Sequence, residues 1–482
     1  MMVFLITVYA YLCFAVFAYA NATAKKRVLR TQNVIMFLIH FMAFAGMYFK
    51  TGEIKILYFY LLQTGLLLAI IWLYEKLYPT ASRLIVNNMC MLLSIGFIMI
   101  TRLSFQKAVK QCIIVVGAII ISLVIPILIK KMKGLSELRF LYGGIGLIAL
   151  AAVVIVGQVS GGAKLGFSIA GIGIQPSEFV KILFVFFAAA SFRKSTKLSN
   201  VVITTIVAAF HVLILVVSKD LGAALIIFIV YLVMLYVATK KPFYVFAGLG
   251  MGSVAAIAAY YLFSHVRVRV LVWKNPFTIY ENGGYQVAQS LFAIGTGSWL
   301  GTGLFQGKAN TIPVADEDFI FSDISEELCL IFALCLILIC LSCYVMFLNI
   351  AMQLKKKFYK LVALGLGTCY IFQTFLTIGG VTKFIPSTGV TLPLVSYGGS
   401  SVLSTLIMFA IIQGLYILKE EEEENLERKR QERQAREAAR NRDRHHNADD
   451  RTRHVGKETR HGRKAQDSTR GKGKETRKSR VR

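Results

Sequence analysis

Apolar residues gather along this chain into long runs separated by short polar or basic connections. A helix that crosses a bilayer needs about 20 predominantly apolar residues. Thirteen runs meet or approach that length, near 3–19, 34–49, 55–74, 86–101, 110–129, 140–158, 179–192, 201–217, 221–238, 243–263, 327–350, 359–379 and 399–418. The pattern predicts an all-α polytopic membrane protein. Two segments interrupt the threading: residues 264–326, a long loop rich in Gly and polar groups, and residues 380–400, punctuated by Gly and Pro. Hydrophobic residues within both predict that they fold back onto the helices, since long loops are functional or disordered. After Leu418 the chain is charged, with helix predicted as far as Arg440 and nothing beyond it able to form a core.

The composition agrees, with 56% hydrophobic and 17% charged residues where a soluble domain carries about a quarter charged. The net charge of +28 divides unevenly. From Lys419 onward there are 22 Lys and Arg against 14 Asp and Glu, leaving 32 against 12 for residues 1–418. If alternate connections are cytoplasmic, one side receives nineteen of those 32 bases and the tail as well, which orients the N-terminus outside and the C-terminus inside. The first run ends in Ala20-Asn21-Ala22, but its bases follow it rather than precede it, the reverse of a secretory signal, so it reads as an uncleaved anchor. No folded basic module is visible that would read nucleic acid, and the tail reads as a solvated segment touching anionic headgroups. The eight cysteines lie within apolar runs without metal-ligand spacing.

Acids are costly in such a chain, and six of the twelve before the tail lie between 316 and 327: Asp316, Glu317, Asp318, Asp323, Glu326 and Glu327. Asp316 and Glu317 read equally as solvated loop charge or as chemistry. Asp318 precedes Phe319-Ile320-Phe321, an apolar wall that would desolvate its carboxyl and raise its pKa toward that of a general base. Asp220 opens a helix and reads first as its cap. Gln175-Pro176-Ser177-Glu178, with Lys181 one turn on, is a helix-start pattern on the same outer side. The outer bases His265, Arg267, Arg269, Lys274, Lys164 and Lys383 run against the positive-inside bias and invite an anionic ligand; Arg267 and Arg269 would share one face of an extended segment and suit a diphosphate. Gly389 through Ser401, including Ser396, is dense in residues that permit close backbone approach but lacks a nucleotide-loop spacing.

In this order, Gln175-Pro-Ser-Glu178 with Lys181, Asp220-Leu-Gly222, Gly284-Tyr285-Gln286 to Gln289-Ser290 with its following glycines, Asp318-Phe-Ile-Phe through Glu326-Glu327, and Gly389 to Ser401 resemble the FtsW/RodA/SpoVE (SEDS) family. The resemblance covers roughly residues 85–418. It implies three domains: extra N-terminal transmembrane helices (1–84), a ten-helix polymerase core (85–418) with its extracytoplasmic loop (264–326), and a charged cytoplasmic tail (419–482).

What the resemblance implies is an inverting peptidoglycan glycosyltransferase in the bacterial cytoplasmic membrane. Such an enzyme polymerises lipid II on the outer face, with a class B penicillin-binding protein transpeptidase as partner. Asp318 matches the family's essential loop aspartate. Asp316, Glu178, Asp220, Glu326, Glu327 and Ser396 would support it. Lys164, Arg267, Arg269, Lys383, Gln175 and Gln286 would hold the substrate and its diphosphate, with a divalent cation such as Mg or Mn as a possible helper. The chain departs from the family at several positions. Val314 stands where Glu is common, Asp316-Glu317 for His-Thr, Leu165-Gly166 for Arg-Trp, Lys219 for Pro, Cys329 for Gly and Thr377 for Asn. With the Glu lost, Asp316 is the acid placed to take its role. A lipid II transporter and a scaffold for the division or elongation machinery are the competing functions. Transport would spread ionisable groups to mid-membrane, whereas here they gather outside.

Overall fold

A computed structural model describes residues 1–19, 21–132, 134–160, 163–169, 172–308 and 311–471. The chain divides into two units, residues 1–419 and 420–482.

The first unit starts with three apolar helices, α1 (Met2–Ala18), α2 (Ala22–Thr51) and α3 (Ile54–Leu77). Then come α4 (Arg83–Leu103), α5 (Phe105–Lys131), α6 (Arg139–Val156), α7 (Pro176–Lys194), α8 (Leu198–Val217), α9 (Leu221–Thr239) and α10 (Pro242–Leu262). The long loop that follows is folded, into α11 (Ser264–Lys274), a π turn (Tyr280–Gly284), α12 (Tyr285–Gly297) and α13 (Ile320–Glu327). Helices α14 (Leu330–Gln353), α15 (Lys357–Val381) and α16 (Gly399–Gly471) complete the order.

Each of the thirteen apolar runs coincides with a helix. Ten helices among the described residues are long and apolar enough to cross a membrane; α1 and α6 are apolar but shorter, and α7 carries Glu178, Lys181, Arg193 and Lys194. Seventeen residues in α1 rise about 26 Å, just short of a hydrocarbon core of about 30 Å. Helix starts follow local chemistry: Ser104 Oγ accepts from Lys107 N at the head of α5, Asp220 Oδ1 accepts from Ala223 N at the head of α9, and Pro176 occupies the first turn of α7, where its missing N–H costs nothing.

One feature was not foreseen from sequence. Between α6 and α7 lie three short antiparallel strands, β1 (Gln158–Ser160), β2 (Ala163–Ile169) and β3 (Ile172–Ile174), in the order β1-β2-β3. Lys164 lies on β2, paired with Val159; its side chain lies outside the described part, as do residue Ala20 of the anchor reading and residues 472–482.

The core is centred on α4, buried from Leu84 to Thr101, while α10 is almost wholly exposed, as suits a helix facing lipid. The re-entrant segment before α16 reaches the flank of α4 at Gly96, where a β-carbon would stand 2.7 Å from Val395 O; only glycine admits that approach. Helices α1 and α2 join the core through buried polar contacts. Asn88 Oδ1 accepts from Tyr9 Oη and Cys13 Sγ, both at 3.2 Å, and Asn88 Nδ2 donates to Ser342 Oγ at 3.2 Å. His40 Nδ1 meets Ser94 Oγ at 3.0 Å.

In the second unit helix continues to Gly471, past Arg440, where the sequence reading ends it. Glu, Arg, Lys, Gln and Ala dominate its first part, all strong helix formers, with opposite charges at i,i+4 such as Arg428 and Glu432.

Candidate active site

The acidic stretch 316–327 is held from two directions. Where α4 ends and α5 begins, Arg102 and Lys107 face it. Arg102 Nη2 stands 2.8 Å from Glu327 Oε1 and its Nε donates to the same carboxylate, whose side chain is fully buried; Phe305 N also donates to Glu327 Oε2. Lys107 Nζ lies 2.7 Å from Asp316 Oδ2, and Tyr397 N donates to Asp316 O at 2.7 Å, stitching the acidic loop to the re-entrant segment. Asp316 is therefore a paired carboxylate. Glu326 accepts from Lys308 N and, through its carbonyl, from Thr302 N. Asp323 is completely buried and neither carboxylate oxygen has a hydrogen-bond partner; burial first, then Glu327 and Glu326, push its pKa well above the ordinary carboxylate range.

Asp318 stands apart from these pairs. Burial pushes its carboxyl up to about 6; its own backbone N–H and Arg269 oppose the rise, and Glu317 and Asp316 add to it. Glu317 is raised too, by burial and then Asp316. Arg269 comes from α11 and donates through Nη1 to Ser387 O at 2.7 Å. Burial lowers its pKa, and the carboxylates of Asp318 and Asp220 offset that only in part. Gly389 lies between the two groups: with φ +69°, its position for a β-carbon is 3.7 Å from Asp318 Oδ2 and 3.8 Å from Arg269 Nη2. A carboxyl poised near neutrality, a desolvated guanidinium and a glycine backbone thus converge.

Behind them lies a polar layer. Asp220 caps α9 with one oxygen and accepts from Ser177 Oγ (2.7 Å) and Gln175 Nε2 (3.1 Å) with the other. Lys181 Nζ, almost fully buried, donates to Glu178 Oε1 at 2.9 Å and Gln373 Oε1 at 2.7 Å, while Ser404 Oγ donates to Glu178 Oε2. Gln175 N donates to Ser400 Oγ. Ser396 is buried within its own turn, accepting from Leu392 N.

Several expectations are corrected or extended. Residues 264–274 are helical, so Arg267 and Arg269 do not share a face: two residues turn a helix through about 200°. Arg269 points inward, and Arg267 is exposed and donates to Tyr261 O. Lys383 has φ +59° and receives Trp273 Nε1 on its carbonyl, and Gln286 Nε2 lies 3.5 Å from Pro313 O, so among the described residues neither is brought to Asp318 and Arg269. Sequence reasoning passed over Arg102 and Lys107 as site residues, although the orientation expected from the sequence puts both on the same side as Arg269. Among the described residues no three His, Cys, Asp or Glu side chains stand together to hold a metal ion; Arg269 is the cation beside Asp318.

The cell cycle protein family of FtsW, RodA and SpoVE matches residues 77–421. The chain belongs to this family. The FtsW/RodA/SpoVE match leaves α1–α2 and nearly all of α3 outside it. The peptidoglycan glycosyltransferase RodA of Mycobacterium leprae is 33% identical over 360 residues, covering 69% of this chain and 77% of that protein. A probable peptidoglycan glycosyltransferase FtsW of Aliivibrio salmonicida is 31% identical over 356 residues, covering 68% and 85%. The fold is that of a chain in a peptidoglycan synthase complex (TM-score 0.60, 21% identity, 70% of this chain and 98% of that one). It is also that of the rod shape determining protein RodA of Thermus thermophilus (TM-score 0.52, 20% identity, 70% and 96%). With its apolar helices, this FtsW/RodA/SpoVE protein is a multi-pass protein of the cytoplasmic membrane.

Proposed function

We propose that this peptidoglycan glycosyltransferase polymerises lipid II at the outer face of the membrane with Asp318 as general base. The observation that carries the reading is the half-buried carboxyl of Asp318, raised to about 6 chiefly by desolvation and set beside Arg269 and Gly389. A base working near neutrality needs a pKa close to the operating pH.

In this reading the 4-hydroxyl of the acceptor GlcNAc gives its proton to Asp318 as its oxygen attacks C1 of the donor MurNAc. The bond from C1 to the diphosphate oxygen breaks on the opposite face, and undecaprenyl diphosphate leaves with the electron pair. One displacement turns the α-linkage into a β-linkage, so no enzyme nucleophile is required. Arg269 stabilises negative charge developing at the site. Glu178, Asp220 and Ser396 hold the elements beneath it, and Asp316, Glu326 and Glu327 fix the acidic loop through their partners. The N-terminus lies outside and the tail in the cytoplasm, and a class B penicillin-binding protein transpeptidase is the partner. A transporter is the less supported reading, because ionisable groups of the core gather toward its outer end.

The test is reconstitution: full-length protein with its transpeptidase partner, given labelled lipid II, makes β-linked glycan chains. Labelled lipid II crossing vesicle membranes with no polymer formed would reverse the assignment.

A further inference from the structure

Far along the helices from the chemistry, α2, α3 and the start of α4 meet in an open cleft. Its polar wall holds Arg30 and Asn33 of α2, Glu75 of α3, and Arg83 and Asn87 of α4; Tyr74 lies among its apolar residues. Half of the residues that line the cleft lie outside the family match, and the proposed polymerisation does not use it.

Charge and depth together define what fits. Arg30 is exposed and forms no ion pair among the described residues, and Lys25, Lys26 and Arg27 precede it on the same helix. Arg83 pairs with Glu75 at 3.2 Å, both only half-covered; Glu75 is the one acid on the wall. Asn87 is satisfied by Leu29 O and Gln32 Oε1, but Asn33 Oδ1 is buried without a partner. A half-turn of that amide presents its N–H groups to the cleft, the orientation an anion selects. On the outer surface of α3, Trp72 is exposed and Lys76 Nζ stands 4.8 Å over its ring, and Leu68 one turn deeper is exposed too. Trp and Lys at a helix end mark the level of lipid headgroups, so the cleft opens at that level. Basic pockets between membrane helices on the cytoplasmic side take anionic headgroups, and the Lys and Arg bias assigns this end to the cytoplasm.

We propose that this cleft holds the phosphate headgroup of an anionic phospholipid, with Arg30 and Arg83 on the phosphate, Asn33 donating to it, and the acyl chains lying along α3. The naming of the leaflet rests on the proposed orientation; the site itself does not.

Native mass spectrometry of the full chain tests it, with phosphatidylglycerol and phosphatidylcholine as probes. The wild type should retain phosphatidylglycerol in preference. Arg30→Ala with Arg83→Ala should lower that preference about tenfold or more, and Arg30→Lys should keep most of it. Should the double variant misfold, Arg30→Ala alone, a change to an exposed side chain, should still lose part of the preference. Equal retention of both lipids by the wild type, or an unchanged preference in Arg30→Ala, would overturn the proposal. Inorganic phosphate raising the thermal stability as far as short-chain phosphatidylglycerol does would overturn the lipid as its source.

Discussion

Asp318 and Cys329 are two residues whose surroundings set them against their own chemistry. If Asp318 is the base, it must be ionised to work, so activity should rise with pH through about 6 and level off above it. A pH–rate profile of polymer formation by wild type checks this; an acid limb near 4, the value of an unburied carboxyl, would mean that burial does not tune the group. The same shift has a cost in stability. A folded-state pKa above the unfolded value favours folding of the protonated form, so the penalty is full above pH 6 and fades as pH falls toward 4. Cys329 heads α14 with φ +99° and ψ 162°, a region open almost only to glycine and strained by about 1–3 kcal/mol for other residues. Its thiol recovers a little by accepting from Phe332 N at 3.3 Å. Cys329→Gly, the residue the family resemblance expects there, should therefore raise the melting temperature in detergent; a fall would show that the thiol contact outweighs the strain.

At the scale of elements, the site depends on α4 and α5 gripping the acidic loop. Arg102→Met leaves Glu327 charged and buried with Phe305 N as its main remaining partner, a loss of about 3–5 kcal/mol for a broken buried pair. Thermal unfolding should show a large drop, and adding Glu327→Gln should recover part of it; no recovery would mean that Arg102 acts through packing over Phe305 instead. The helices themselves were legible because uninterrupted apolar runs need no tertiary information. Helix α11 was not: Val266-Arg267-Val268-Arg269-Val270 alternates like a strand. Beside a bilayer the backbone gains more by closing its hydrogen bonds within one helix, which separates the two arginines. Asp318 was legible from the apolar residues after it. Its convergence with Arg269 and Gly389 was not, because those three come from segments far apart in sequence and meet only through the fold.

Over the whole molecule, the proposed chemistry draws on the membrane unit and leaves the charged tail aside. The side chains that meet around Asp318 all belong to residues 1–419, so a chain lacking residues 421–482 should polymerise lipid II at close to the wild-type rate; a changed position in the cell with the rate intact would make the tail a docking element. Polymerisation lost along with the tail would contradict that division. The scarcity of acids was the sequence's most informative property, because each had to be paired, buried neutral or used. The contacts sort them: Glu327 and Asp316 are paired, Asp323 is buried with its pKa raised, and Asp318 is left beside Arg269 with a pKa near neutrality. The most direct measurement is lipid II polymerisation by purified Asp318→Ala and Asp318→Asn proteins with their transpeptidase partner. Both should yield no glycan chains while inserting and binding the partner as the wild type does. Normal chains from either variant would contradict the account.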